Sequence, residues 1–308
     1  MAATTYTVTL TSEQIALLHQ LLDEKGWSFD TLPYAHWRAK RDNTTVVAYQ
    51  SGKLTAQGGG TADFVQFLLE PEVLHEARFG YEAELAQLES PDMFLPHAGI
   101  DESGKGDYFG PLVIACVHTN ASSAEVLMKA GVTDSKSIKS DAKIAELARL
   151  IRQTCSEQYS VVAIGPESYN RLYDSFGNLN RLLAWGHAKS LENLLQMVPS
   201  CPKAISDQFA ASKTTVEKAL GQLGRAIQLE QHPKAEADIA VAAASILARD
   251  EFVRRLDLLG KSVGRTLPKG AGPMVLECAK ALMAQGGLNL LRTIAKLHFK
   301  TTQDAAIQ

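Results

Sequence analysis

Apolar and polar positions follow two different regimes along the chain. Residues 5–11 alternate strictly, with Tyr6, Val8 and Leu10 on one face and threonines on the other, which is the period of a half-buried strand. Thr11-Ser12-Glu13-Gln14 has the form of a capping box, and Ile15, Leu18, Leu21 and Leu22 supply a helical stripe behind it. Residues 44–49 and 53–57 read as a hairpin about Gln50-Ser51-Gly52, and residues 62–69 as a short helix. Further along, residues 99–101 predict a short extended approach, Gly104-Lys105-Gly106 a glycine-punctuated reversal, and residues 111–117 a buried, β-branched strand. Helical spacing of apolar residues recurs over 140–153 and 181–197, residues 159–164 read as strand, and Ala204-Ile205 rise into Ser206-Asp207. Residues 240–259 predict a helix whose run of alanines lets it lie close to a sheet. Strands alternating with helices predict α/β layering around a mixed sheet.

Composition sharpens the division. Six glutamates between residues 70 and 89 and few β-branched residues mark a connecting helix and linker. The expected organisation is therefore an N-terminal α+β domain over residues 1–70, a linker over 71–96 and a second domain over 97–308, which 308 residues can accommodate. A hydrophobic content of 45% with 21% charged residues excludes disordered and fibrous classes. Four cysteines, Cys116, Cys155, Cys201 and Cys278, show neither a C-x-x-C pair nor finger spacing, which predicts thiols in a cytoplasmic protein. The first residues lack a basic and apolar leader, and the longest apolar run, residues 239–248, is too short to span a bilayer, so no membrane association is expected. A net charge of −3 does not announce a nucleic-acid binder. Charge distribution says more: residues 254–300 hold nine Lys or Arg against Asp257 and Glu277, which predicts a local basic surface, and residues 36–41 predict a cationic strand carrying Arg38 and Lys40.

The chemistry concentrates at the reversal. Asp101 and Glu102 are adjacent, Asp107 follows the turn, and Lys105 lies between glycines whose missing side chains let an anionic ligand approach the backbone. Two adjacent carboxylates at the end of a buried strand repel each other, and a divalent cation is the natural compensation. Neighbours in a regular strand point to opposite faces, so sharing one cation calls for a strand end or a bulge, which the Gly104 turn would supply. Neither His298 nor the isolated serines suggest a nucleophilic triad.

The segment Ile100-Asp101-Glu102-Ser103-Gly104-Lys105-Gly106-Asp107-Tyr108-Phe109-Gly110-Pro111 resembles the opening motif of the type 2 ribonucleases H, in the variant of the ribonuclease HIII branch. Thr133-Asp134-Ser135-Lys136, Ile205-Ser206-Asp207-Gln208-Phe209-Ala210, Lys234-Ala235-Glu236 and Leu267-Pro268-Lys269-Gly270 resemble that family in the same order. The resemblance implies a ribonuclease H-like mixed sheet with flanking helices, preceded by a small α+β domain like the TATA-binding protein that grips the substrate. There it rests on Ala48-Tyr49-Gln50-Ser51-Gly52-Lys53. It implies a monomeric endoribonuclease that cuts the RNA strand of an RNA–DNA hybrid duplex with Mg²⁺ or Mn²⁺, two ions being expected. It assigns Asp101, Glu102 and Asp207 as metal-binding catalytic residues. Glu236 fills the family's Lys-Ala-acid position, but a spacer one residue shorter than usual before the alanine run leaves Asp238 as an alternative. By the same resemblance Gly104, Lys105 and Gly106 sense the ribose 2′-hydroxyl, Lys136 and Lys269 contact phosphate, and Arg38 and Lys40 bind substrate from the first domain. The rival expectation is a catalytically silent hybrid- or DNA-binding protein on the same fold.

Overall fold

The computed structural model describes residues 5–207, 214–232 and 235–307, and the chain divides into two units, Met1–Leu88 and Glu89–Gln308. In the first unit the strict alternation becomes an antiparallel sheet of β1 (Thr5–Thr9), β2 (Ser28–Asp30), β3 (Ala35–Arg41), β4 (Thr44–Tyr49) and β5 (Lys53–Gly58), in the order β1-β5-β4-β3-β2. Helix α1 (Ser12–Glu24) opens with the expected capping box: Gln14 N donates to Thr11 Oγ1 at 3.2 Å and Thr11 N to Gln14 Oε1 at 2.9 Å. Its Leu18 and Leu22 share a core with Trp37, Ala39, Val46, Ala48, Leu54 and Ala56. The strand register places Asp30, Arg38, Val47, Thr55 and Thr7 in one row on the opposite face of the sheet. That face is open to solvent at Asp30, Lys40, Gln57 and Thr7.

The short helix expected over residues 62–69 is longer. It begins as α2 (Thr61–Phe64) and continues as a π-helix (Val65–Leu74) that contains Pro71, which has no amide hydrogen to donate. Buried Glu70 closes the segment, its carboxylate accepting from Arg78 N at 2.8 Å and Phe79 N at 2.9 Å. Val73, Leu74 and Phe79 thereby join the core of this unit. Helix α3 (Glu82–Glu89) and a 3₁₀ turn (Pro91–Phe94) follow.

The second sheet is mixed. Its strands β6 (His97–Ser103), β7 (Leu112–Thr119), β8 (Tyr159–Ile164), β9 (Lys203–Asp207) and β10 (Gln228–His232) run in the order β10-β9-β6-β7-β8. Strands β6, β7 and β8 pair antiparallel, whereas β6, β9 and β10 pair parallel. The helices are α4 (Ala121–Lys129), α5 (Asp141–Thr154), α6 (Pro166–Phe176), α7 (Leu179–Met197), α8 (Thr214–Ala219), α9 (Ile239–Ser262), α10 (Pro273–Ile294) and α11 (Lys300–Ala306). Helix α7 packs Leu182, Leu183, Leu191 and Leu194 against Ala98, Ile100, Leu112 and Ile114. The other face lies under α9, so close that a Cβ on Gly99 would sit 2.1 Å from Val241 N. The alanine run permits this approach, as its pattern predicts. Every residue of β7 is buried, as expected for a central strand covered on both faces.

All four cysteines are free thiols. No helix among the described residues is long and apolar enough to cross a membrane.

Candidate active site

Strand β6 delivers the acidic pair. Its pairing with β7 continues without a shift through Asp101↔Ala115, Glu102↔Ile114 and Ser103↔Val113, so there is no bulge at the carboxylates, and the strand ends one residue beyond Glu102. Period 2 therefore sends them to opposite faces: Gly99 and Asp101 toward α9, and Ala98, Ile100 and Glu102 toward α7. Both still line one cavity of about 440 Å³, because they stand at the very end of the sheet. Residues 103–107, Lys136, Asp207, Arg249 and Lys269 complete its wall. The two glycines of the turn differ in purpose. Gly104 has φ +88°, and a Cβ there would meet Pro111 O at 2.2 Å, so the reversal itself demands glycine. Gly106 meets nothing within 4 Å and leaves its backbone open.

The adjacent carboxyls occupy unlike environments. Burial, and then the charge of Glu102, push the Asp101 carboxyl well above the usual carboxylate range. Asp101 Oδ1 accepts from Glu102 N at 2.7 Å. Burial also raises the Glu102 carboxyl, but the hydrogen bond and charge of His187, joined by Lys105, outweigh it and the net direction is down. Glu102 Oε2 lies 2.9 Å from His187 Nε2, and Oε1 lies 3.4 Å from Lys105 Nζ. Lys136 sits across the cavity, its ammonium favoured over the opposing effect of burial by Asp101, Asp134, Glu236 and Asp207. Glu236, in the 3₁₀ turn Ala235–Ala237, thus shares a cation with two of the predicted acids.

Asp238 is differently engaged. It is the N-cap of α9, with Oδ1 accepting from Ala240 N at 2.9 Å and Val241 N at 3.1 Å, while Oδ2 lies 2.9 Å from His97 Nε2. Burial pulls the His97 pKa down, but the bond and charge of Asp238 more than offset it and the net direction is up. Among the described residues no group of three His, Cys, Asp or Glu side chains closes to metal-holding spacing; Asp101, Glu102 and Asp207 line a shared cavity instead, and Glu236 and Asp238 do not line it. The donor set is wholly oxygen and contains a buried pair in need of positive charge, which fits a hard divalent cation.

Of the expected substrate contacts, Lys269, Arg38 and Lys40 are paired with carboxylates. Lys269 Nζ lies 2.6 Å from Asp141 Oδ2, and Arg249 holds Asp141 Oδ1 at 3.2 Å while donating to the carbonyls of Ser135 and Ile138. In the first unit Arg38 makes a bidentate pair with Asp30, both bonds 2.6 Å, and Lys40 reaches the same carboxylate at 3.2 Å. Part of the basic surface expected over residues 254–300 is engaged in the same way, while Arg265, Arg292 and Lys300 stay exposed. Arg254 and Arg255 bind Glu251, Lys261 binds Asp257, Lys280 binds Glu277, and Lys296 is fully buried. Helical i,i+3 and i,i+4 spacing makes these pairs, and a net count by window misses Glu251 just outside it. Residues 208–210 of the Asp207 motif and Lys234 of the Glu236 motif lie outside the described residues.

Several residues escaped the reading of the sequence. His187 and His97 sit in apolar surroundings that give no hint of their partners, and Arg249 stands at the end of the alanine run of α9. Lys296 donates to the carbonyls of Asp107 and Gly110, each at 2.8 Å, and Asp107 Oδ1 accepts from Gly270 N at 2.6 Å. Together these tie the Gly104 turn to the Lys269 loop and the C-terminal segment. A histidine set among the leucines of α7 was the one available signal.

The model of the family described as Ribonuclease HII matches residues 98–302, and one described as a domain of unknown function (DUF3378) matches residues 6–78. The chain is 45% identical to Ribonuclease HIII of Chlamydia pneumoniae over 96% of both chains. It is 42% identical to Ribonuclease HIII of Protochlamydia amoebophila over 91% of this chain and 89% of that one. Among solved structures, Bst-RNase HIII in complex with Mn²⁺ superposes with a TM-score of 0.65 at 30% identity, covering 98% of this chain and 97% of that one. With both units matched nearly end to end and Asp101, Glu102 and Asp207 gathered at one cavity, this chain belongs to the ribonuclease HIII branch of the type 2 ribonucleases H.

Proposed function

We propose that this protein is an endoribonuclease that hydrolyses the RNA strand of RNA–DNA hybrids with the help of Mg²⁺ or Mn²⁺. One observation carries the reading. The acids of two neighbouring strands, Asp101 and Glu102 on β6 and Asp207 on β9, converge on a cavity that the open backbone of Gly106 also lines. Asp101, Glu102, Asp207 and Glu236 are the residues that would hold metal, two ions in number. Glu236 is preferred to Asp238 because the Asp238 carboxylate is already spent on the α9 cap and His97. When bound, the ions supply charge neutralisation at the scissile phosphate and an activated water. Lys136 contributes a cation facing three of the acids, and Lys269 stands at the rim, where an arriving phosphate competes with Asp141 for its ammonium. Gly104, Lys105 and Gly106 bring backbone groups and one ammonium to the ribose 2′-hydroxyl, the atom that separates RNA from DNA. The open face of the first sheet, with Arg38 and Lys40, binds the duplex. The free thiols suit a cytoplasmic location, and we take the active form to be a monomer.

The test is a panel of end-labelled RNA–DNA hybrid, double-stranded DNA and double-stranded RNA, each incubated with Mg²⁺, with Mn²⁺ and with chelator. Cleavage confined to the RNA strand of the hybrid and abolished by chelator is the expected result. Metal-dependent cutting of DNA, or hybrid binding without cleavage under either metal, would sink the reading.

A further inference from the structure

Glu102 sits on the α7 face of its strand, whereas Asp101 faces α9, so the fold must bring a carboxylate around the end of β6 before both acids can serve one centre. The residue placed to do this is His187. It lies on α7 with no exposed surface, flanked by Gly186, where a Cβ would meet Ile114 Cδ1 at 2.6 Å, so the helix is pressed against the sheet at this point. His187 Nε2 is 2.9 Å from Glu102 Oε2, and Nδ1 is 3.1 Å from the hydroxyl of Ser206, which is itself fully buried. Ser206 Oγ lies 3.1 Å from the carbonyl oxygen of Asp207. One imidazole thus spans two parallel neighbours, since Ile100 of β6 is the register partner of Ser206 on β9.

The contrast with His97 defines the role. His97 is equally buried and also bonds an acid, but its partners are the Leu95 carbonyl and the N-cap of α9, both parts of the scaffold. His187 commits its two nitrogens to a cavity-lining carboxylate and to the residue before another. It binds one oxygen of Glu102 and leaves Oε1 on the side of Lys105. We infer that His187 is a positioning residue of the nuclease: it fixes the carboxylate of Glu102 and, through Ser206, the end of β9 at Asp207, so that acids leaving the sheet on opposite faces present to a single metal-binding cavity. The inference rests on the assignment of Glu102 and Asp207 to the metal centre. Groups that hydrogen-bond ligating side chains typically change metal affinity or activity about 10–100-fold when removed.

The experiment uses the full chain and reads Mn²⁺ binding by the loss of the free-ion electron paramagnetic resonance signal, without nucleic acid, beside kcat and KM on a hybrid and the melting temperature. Glu102→Gln is the control for the underlying assignment: if it binds Mn²⁺ as the unmodified chain does, the metal assignment has failed whatever His187 does. With that control weakened, His187→Ala is expected to bind Mn²⁺ about 10–100-fold more weakly and to lose kcat with KM within about threefold. His187→Gln, which keeps a donor for Glu102, is expected to recover most of both. Wild-type Mn²⁺ binding in His187→Ala, or equal loss in His187→Ala and His187→Gln that tracks only the fall in melting temperature, overturns the inference. Should His187→Ala not fold, Ser206→Ala decides, since it deletes one oxygen and disturbs little packing. A severalfold weaker Mn²⁺ affinity supports the bridge, and an unchanged one refutes it.

Discussion

Among the described residues the two sheets have the same number of strands and opposite uses of their faces. The first is antiparallel, covers one face with α1 and the π-helix, and leaves the other polar and open, with Arg38 and Lys40 in its outward rows. The second is mixed and covered on both faces by α7 and α9, and its acidic residues reach solvent at the end where β6 and β9 stop. An open face offers area and charge, which suits grip on a long polyanion. A sheet end offers a few groups held rigidly by the layers around them, which suits chemistry. The charges differ accordingly: Asp30 is exposed and its carboxyl is lowered to about 2 chiefly by Arg38, whereas Asp101 is buried and driven up.

The sharpest way to break this division of labour is at Asp101. Asp101→Asn is expected to lower hybrid cleavage by about 10³-fold or more while hybrid affinity measured in chelator stays within about threefold. Parallel loss of binding and cleavage would mean that grip and chemistry are not separate. Next in size is the fourth acid. Glu236→Gln is expected to reduce turnover roughly 100-fold and to raise the metal concentration required, whereas Asp238→Asn leaves both near normal. Asparagine still caps α9, and its amide can donate to a neutral His97. Asp238→Ala loses cap and partner together and should destabilise by about 1–3 kcal/mol in a denaturant titration.

On the open sheet the pairing itself is the handle. Asp30→Asn releases Arg38 and Lys40 and is expected to tighten hybrid binding a few fold, with the slope of log Kd against log salt steeper by roughly one for each phosphate newly engaged. Arg38→Ala should move both quantities the other way. A salt titration of binding that moves for neither variant would take the first sheet out of substrate recognition.

The smallest effect expected is on stability and belongs to the second unit. Burial, opposed only in part by Asp107, lowers the Lys296 ammonium to about 7. The unfolded chain therefore holds this proton more tightly than the native one, so stability is lost as pH falls toward 7 and regained as it rises. Lys296→Met should flatten the rise in melting temperature between pH 7 and 9, and an unchanged pH profile would show that the buried amine is not the source.

Local chemistry was written plainly in the chain. The capping box at Thr11, the small face of α9, the Gly104 reversal and the acids at positions 101, 102 and 207 each depend on residues close together in sequence, or on a motif whose spacing survives translation into structure. What the sequence alone left open was the fate of each charge. That the Asp238 carboxylate caps α9 and also meets His97, 141 residues away, could not be read from its motif. The burial of Lys296 and the pairing of Lys269 with Asp141, 128 residues apart, came from contacts that a window of composition cannot weigh. The absence of a bulge at Asp101 and Glu102 was decided by the unbroken register with β7, and the meeting of the two carboxylates by their place at the end of a sheet buried on both sides. Periodicity reports which way a side chain leaves its own strand. Only the packed layers determine what it meets there, because a partner's identity is a property of distance in space.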